Sequence, residues 1–496
     1  MGEIRLDKMS GSGPGFYPAL FLESGMKKQQ NDFLNGSILP SLLRFAGPVL
    51  LALFLQAMYG AVDLIVVGKF AGTADISAVS TGSQAMQLVT SLLVGLTTGV
   101  TVLLGQKIGE GKPDEAGSVI GSAICLFVCI ALGLTVLLVT LAAPFCRLLQ
   151  APEEAFVPTT QYVRICSAGT LFIVAFNVIG SVFRGLGDSK MPLITVAIAC
   201  VVNIFGDLLL VAVFHLGAAG AALATVFAQA ISVVLSLLVI ARRKLPFTFR
   251  KEQLRFDRPL TAGILRLGVP IALQDVLVGV SFLVILAIVN SLGLLQSAGM
   301  GIAEKVCAFV MLLPSAFSQS VSAFVAQNTG AAKPDRAKKA LRYSVVTSLC
   351  ISVFVFYFNF FHGDLLAGIF ANDRAVILEA ADYLKAYAID CLLTSFLFCF
   401  VGYFSGLGKT VFVMAQGILG AFGVRIPVSF FMSRLPNVRL FYIGLATPCS
   451  TVVQVLLCLA YYAPLSPGYI NAQIVKILPQ DNQDCKYLFT NFYAFL

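Results

Sequence analysis

Gln106-Lys-Ile-Gly-Glu-Gly-Lys-Pro-Asp114 and Gln327-Asn-Thr-Gly-Ala-Ala-Lys-Pro-Asp335 are one phrase written twice, 221 positions apart. Gln106, Gly109, Lys112, Pro113 and Asp114 return as Gln327, Gly330, Lys333, Pro334 and Asp335. At the same offset Phe183, Gly185, Leu186 and Gly187 return as Phe404, Gly406, Leu407 and Gly408, and Tyr162 as Tyr383. Arg44 and Pro48 return as Arg266 and Pro270 at an offset of 222, which one insertion or deletion accounts for. Separate motifs sharing one offset are the mark of an internal duplication.

Around these motifs the chain is lipid-like. Of its 496 residues 58% are hydrophobic and 12% charged, and the mean hydropathy is +0.89. Soluble domains carry about twice that charged fraction, so the bilayer must be part of the solvent. Twelve apolar segments lie at 43–68, 76–104, 117–143, 157–184, 191–214, 217–240, 262–290, 297–325, 339–362, 379–404, 410–433 and 440–464. Each far exceeds the roughly 9–11 residues of a barrel strand, so the spans are helices. The expected organisation is a cytoplasmic N-terminal segment (1–42), a first six-helix lobe (43–240), a basic linker (241–261), a second lobe (262–464) and a cytoplasmic tail (465–496). The first 25 residues hold no proper signal peptide and read as an extension without a role in the fold.

The net charge of +9 sits in short connections, not on one folded face, which argues against nucleic acid. Arg242, Arg243, Lys244, Arg250, Lys251, Arg255 and Arg258 follow the sixth span, and Lys333, Arg336, Lys338, Lys339 and Arg342 follow the eighth. The positive-inside rule places this side, and both termini, in the cytoplasm. The twelve Cys are scattered without a CxxC pair, and His215 and His362 are the only histidines. Neither structural zinc nor a secreted disulfide framework fits.

An ionisable side chain inside a span costs roughly 2.5–3.5 kcal/mol on insertion scales and is a functional candidate by default. The first lobe offers Asp63 and Asp207. Asn203 lies one helical turn before Asp207, while Gln56, Tyr59 and Asp63 form a polar stripe at spacings of three and four. Asn177 and Thr225 could face the same interior. Two carboxylates with amide and hydroxyl partners can hold a proton, or a desolvated Na⁺ through oxygen ligands. The competing reading of each acid is an isolated helix–helix hydrogen bond or an interfacial carboxylate. The second lobe carries Asp275, Glu304, Lys305, Asp390 and Arg425 as cleft or substrate candidates. Glu304 and Lys305 are adjacent and point to different helix faces, and Arg425 lies deep enough to need a partner. The Gly185-Leu-Gly187 and Gly406-Leu-Gly408 turns read as structural.

Taken together, the Tyr59-Gly-Ala-Val-Asp63 run, the Phe183-Arg-Gly-Leu-Gly-Asp188 turn, Asn203-Ile-Phe-Gly-Asp207, Gly217-Ala-Ala-Gly-Ala-Ala-Leu-Ala-Thr225 and the two Gln-x-x-Gly-x-x-Lys-Pro-Asp loops resemble the multidrug and toxic compound extrusion (MATE) family over residues 26–464. The resemblance implies an all-α membrane transporter of twelve helices in two pseudo-symmetric lobes. It would expel organic cations and drugs across the plasma membrane in exchange for H⁺ or Na⁺, as a monomer and without a cofactor. The family's first-lobe cation site maps onto Asp63, Asn177, Asn203, Asp207 and Thr225, with Gln56 and Tyr59 beside them. Some branches use a Glu in span 7 and an Asp in span 10; those places hold Val278 and Thr394 here, which favours coupling in the first lobe. The rival within transport is a flippase-like exporter of lipid-linked substrates. A membrane-embedded enzyme would need a nucleophile, metal or acid–base cluster, and no His pair, HExxH or Ser–His–Asp arrangement is visible.

Reporter fusions test the topology. A fluorescent protein inserted after residue 250 should fluoresce, and alkaline phosphatase at the same place should be inactive; the opposite pattern would invert the assignment.

Overall fold

The computed structural model describes residues 33–242 and 250–465. The expectations placed on residues 1–25, on Arg243 and Lys244, and on the tail beyond Leu465 lie outside this range. Within it the spans are α1 (Ile38–Phe70), α2 (Thr73–Gly109), α3 (Pro113–Thr140), α4 (Glu153–Ala168 continuing as Thr170–Gly185), α5 (Lys190–Val213) and α6 (Gly217–Arg242). The second set is α7 (Arg258–Asn290), α8 (Leu294–Gly330), α9 (Pro334–Phe361), α10 (Arg374–Gly406), α11 (Thr410–Met432) and α12 (Leu440–Tyr462). Among the described residues eleven helices are long and apolar enough to cross a membrane, and the bent pair of α4 makes the twelfth.

The helices begin and end where backbone chemistry directs. Pro113 and Pro334 open α3 and α9 in the first turn, where a missing N–H costs nothing. Gly187 (φ +83°) and Gly408 (φ +78°) turn the chain after α4 and α10 in the left-handed region that glycine tolerates. α4 bends by 53° at Gly169, a break that apolar periodicity does not reveal. Gly169 lies so close to α6 that a Cβ would come within 2.6 Å of Val226. Short helices Ala142–Leu148 and Gly363–Gly368 follow α3 and α9 at the repeat offset. The helix of α7 already starts at Arg258, inside the expected 241–261 linker. What is described of that linker lies on α3, with Gln253 Nε2 donating to the Asp114 carbonyl at 3.1 Å.

Two of the crossings that join the lobes run between the second span of one and the first span of the other. α2 meets α7 through small residues, because lipid gives helices no hydrophobic reason to associate and close backbone packing takes its place. A Cβ on Gly95 would lie 2.4 Å from Ala272 Cα, one on Gly99 would lie 2.3 Å from the Ile264 carbonyl oxygen, and one on Gly268 would lie 2.3 Å from the Leu96 oxygen. On the other side α8 meets α1 through aromatic packing, with Phe33 between Phe45 (5.3 Å) and Phe324 (5.0 Å). The residues leading into α1 are strapped to the second lobe. The Phe33 carbonyl accepts from Asn328 Nδ2 (3.2 Å) and Arg336 (3.0 Å), and Lys333 Nζ donates to the Leu34 carbonyl (2.9 Å).

The repeated phrase itself closes the molecule on the basic side. Gln106 Nε2 donates to the Gly406 carbonyl of the opposite lobe at 3.2 Å, and Gln327 Nε2 donates to the Gly185 carbonyl at 2.9 Å. Gly109 and Gly330 permit this approach: a Cβ at either would come within 2.0 Å or 1.9 Å of the opposing Gln carbonyl oxygen. Each hydrogen bond is worth about 1 kcal/mol net. Replacing Gln106 and Gln327 together by Ala should therefore weaken the closed state by about tenfold or more. Spin-label distances across the basic side should gain a longer population; an unchanged distribution would show that the latch carries no energy.

Candidate functional site

In the first lobe α1, α5 and α6 bring the predicted residues together. Gly206 lets α5 lie against α6, where a Cβ would be 2.9 Å from Ala224 Cβ. Asn203 and Asp207 are thereby turned onto the face that meets Asp63 of α1. Asp63 is 4% and Asp207 0% exposed, and their carboxyl groups lie within hydrogen-bonding reach of one another. Asn203 Nδ2 donates to Thr225 Oγ1, which donates in turn to Asp63 Oδ2, both at 3.4 Å. Beside this chain is a cavity of about 10 Å³, lined by Gln56, Tyr59, Phe176, Asn203, Thr225 and Gln229 among others. It has room for about one water-sized particle.

Donors are scarce at this point. Asp63 Oδ1, Asn203 Oδ1 and both oxygens of Asp207 are buried and have no hydrogen-bond donor among the described residues. Ionised carboxylates accept only, so two of them in contact are repulsive unless a proton or cation lies between them. Asp63, Asp207, Asn203 and Thr225 form the oxygen-rich set that could hold either. The structure does not bring Asn177 to this set by any hydrogen bond; its amide donates to the Ile173 carbonyl of its own helix at 2.8 Å. Gln229, which reaches the Tyr59 hydroxyl, is a member of the site that the sequence patterns do not select. The signal that could have found it is its place one helical turn after Thr225.

A second feature is equally invisible in the sequence. The helix widens to π geometry at Leu208–Val213, directly after Asp207, and at Leu419–Arg425, ending on Arg425. π-turns inside α-helices recur at functional sites, and here one adjoins the charged residue in the fifth span of each lobe.

The second-lobe candidates divide. Glu304 is half-buried and Lys305 exposed, as their adjacency on one helix requires. Among the described residues no ion pair joins Lys305 to half-buried Asp275. Arg425, 6% exposed, has the partner its depth requires: it donates to Ser281 Oγ at 3.2 Å and lies 4.5 Å over the Phe282 ring. Asp390 is fully buried and neither of its oxygens meets a donor among the described residues. It acts on Arg425 electrostatically, without an ion pair within 4.0 Å. Glu304 lines a cavity of about 210 Å³ with Phe282, Cys307, Ala308, Met311, Tyr383 and Tyr387.

Two six-helix lobes with polar groups buried at their centres define a membrane transporter. Residues 48–209 match the pattern of the MatE family, and residues 270–431 match it again, so the chain belongs to that family of multidrug efflux transporters. It is 25% identical over 433 residues to the probable multidrug resistance protein YoeA of Bacillus subtilis (strain 168), covering 86% of this chain and 94% of that one. It is 25% identical over 423 residues to the multidrug export protein MepA of Staphylococcus aureus (strain N315), covering 83% and 91%. Among solved structures, MATE in complex with MaL6 superposes with a TM-score of 0.82 at 17% identity, over 87% of this chain and 96% of the other. An outward-facing multidrug resistance MATE transporter superposes with a TM-score of 0.81 at 18% identity, with the same coverage.

The carboxylate contact makes a stability prediction. Asp207→Asn places an amide donor against Asp63 and should raise the thermal midpoint of the purified protein, by an amount equivalent to about 1–3 kcal/mol. The gain should be largest at alkaline pH, where a shared proton is least available. A lowered midpoint would place the two acids apart.

Proposed function

We propose that this transporter exports amphipathic organic cations in exchange for H⁺ or Na⁺, with the coupling ion held by Asp63 and Asp207. The observation that carries this reading is the buried pair of carboxyl groups in mutual reach without a donor between them. With the cleft open outward, a proton or Na⁺ enters between the acids and rearranges the Asn203–Thr225–Asp63 chain. α1 carries both Asp63 and, through Phe45, the packing against the second lobe. A change at Asp63 is therefore transmitted along α1, whose interior Pro48 removes one backbone hydrogen bond and supplies a place to bend. Affinity for the cationic substrate falls, the substrate leaves, the lobes rock inward and the ion is released.

The remaining expectations belong to the same reading: lobes at 43–240 and 262–464, a cell-membrane location with both termini in the cytoplasm, and a monomer. MatE relatives named as multidrug export proteins support the substrate class.

Efflux of a fluorescent cation from proteoliposomes, with H⁺ and Na⁺ gradients imposed separately, tests the coupling. One gradient should drive export in the wild type, and Asp63→Asn and Asp207→Asn should each lose that drive. Undiminished gradient-driven export in both variants would remove the coupling site, and export that needs neither gradient would remove antiport.

A further inference from the structure

We infer that the cationic head of the substrate is held in the second lobe, in the cavity walled by Phe282, Glu304, Met311, Tyr383 and Tyr387, apart from the coupling acids. The inference rests on the organic-cation reading above and locates it.

Size separates the two lobes. The first-lobe cavity of about 10 Å³ admits an ion or a water and nothing larger. A substituted ammonium or phosphonium head is several times bigger than a water molecule. The second-lobe cavity of about 210 Å³ accommodates such a head. A larger void of about 400 Å³ between α3, α4 and α6 is lined wholly by residues such as Ile124, Phe127, Leu171, Val178 and Val233. It has no charge with which to select a cation.

Chemistry agrees with size. Tyr383 and Tyr387 bring two rings to the wall of the space, the Phe282 face being taken by Arg425, and aromatic rings attract quaternary cations through their quadrupoles. Glu304 supplies the opposing charge, while Lys305 lies on the exposed face of α8. Arg425 does not spoil the balance. It is engaged by Ser281 and the Phe282 face, and the fully buried Asp390 counters it electrostatically. Glu304 is thus the acid of the cavity without a counter-charge among the described residues. Met311 interrupts α8 at the cavity wall, dividing it into Leu294–Val310 and Leu312–Gly330. A flexible thioether at a helix break lets the wall adapt to heads of different shape.

Ion and substrate consequently exclude each other through the movement of the lobes and not by competing for one carboxylate. Equilibrium binding of tetraphenylphosphonium to the purified full-length protein tests this. Glu304→Gln and Tyr387→Leu should each weaken binding by about tenfold or more, Glu304→Asp should recover most of it, and Ile124→Ala, at the wall of the apolar void, should stay within about threefold of wild type. Unchanged binding in Glu304→Gln and Tyr387→Leu, or a loss in Ile124→Ala equal to that in Glu304→Gln, would overturn the assignment. A wild type that binds no tetraphenylphosphonium would instead overturn the organic-cation reading itself.

Discussion

Two carboxyl groups that meet inside a membrane protein impose a condition on everything around them. Both Asp63 and Asp207 are removed from water, and as carboxylates neither can donate to the other. The surrounding architecture supplies few donors: the Thr225 hydroxyl donates to Asp63, the Asn203 amide donates to that hydroxyl and lies within reach of Asp63, and among the described residues no donor meets Asp207. Gly206 brings α5 close enough to α6 for this arrangement, and the π-turn after Asp207 alters the helix at the point where the acid sits. An arrangement so short of donors is poorly suited to a static helix–helix bond. It suits a group that gains and loses a positive charge.

The duplication gives this site something to act upon. Each lobe contributes the same parts to the junction: a second span that crosses the other lobe's first span, a glutamine that reaches across, and a glycine carbonyl that receives the partner's glutamine. Reciprocal contacts of this kind form and break together, which favours two discrete arrangements over a continuous range. The lobes are equal in architecture and unequal in chemistry. The first buries two acids in contact, whereas the second sets Arg425 against Asp390 and opens a wider cavity at Glu304.

Much of the fold was legible in the sequence because lipid enforces it. Apolar segments of span length have no other stable conformation in a bilayer, and the matched motifs reported the duplication directly. The acids were legible for the same reason, since a charge in a span stands out against its surroundings. Breaks were not. Gly169 redirects α4, and Met311 and the two π-turns interrupt the regular α-helix, while composition stays unchanged. Gln229 and the lone amide bond of Asn177 depend on side-chain direction across helices, which spacing along one helix cannot supply. The cross-lobe role of Gln106 and Gln327 was hidden in another way: the repeat marked them, but only the packing of the lobes shows what each one touches.

We propose that an ion at Asp63 and Asp207 and a cation in the second lobe exclude one another. Antiport by such exclusion is reciprocal, so adding the substrate must expel the ion. The direct measurement is ion release when tetraphenylphosphonium is added to purified protein, read as protons with a pH indicator in weak buffer and as ²²Na⁺ displacement in a parallel experiment. Release of one of the two ions is expected from the wild type and none from the Asp63→Asn, Asp207→Asn double variant. Substrate binding without release of either ion, or release that persists in the double variant, would contradict it.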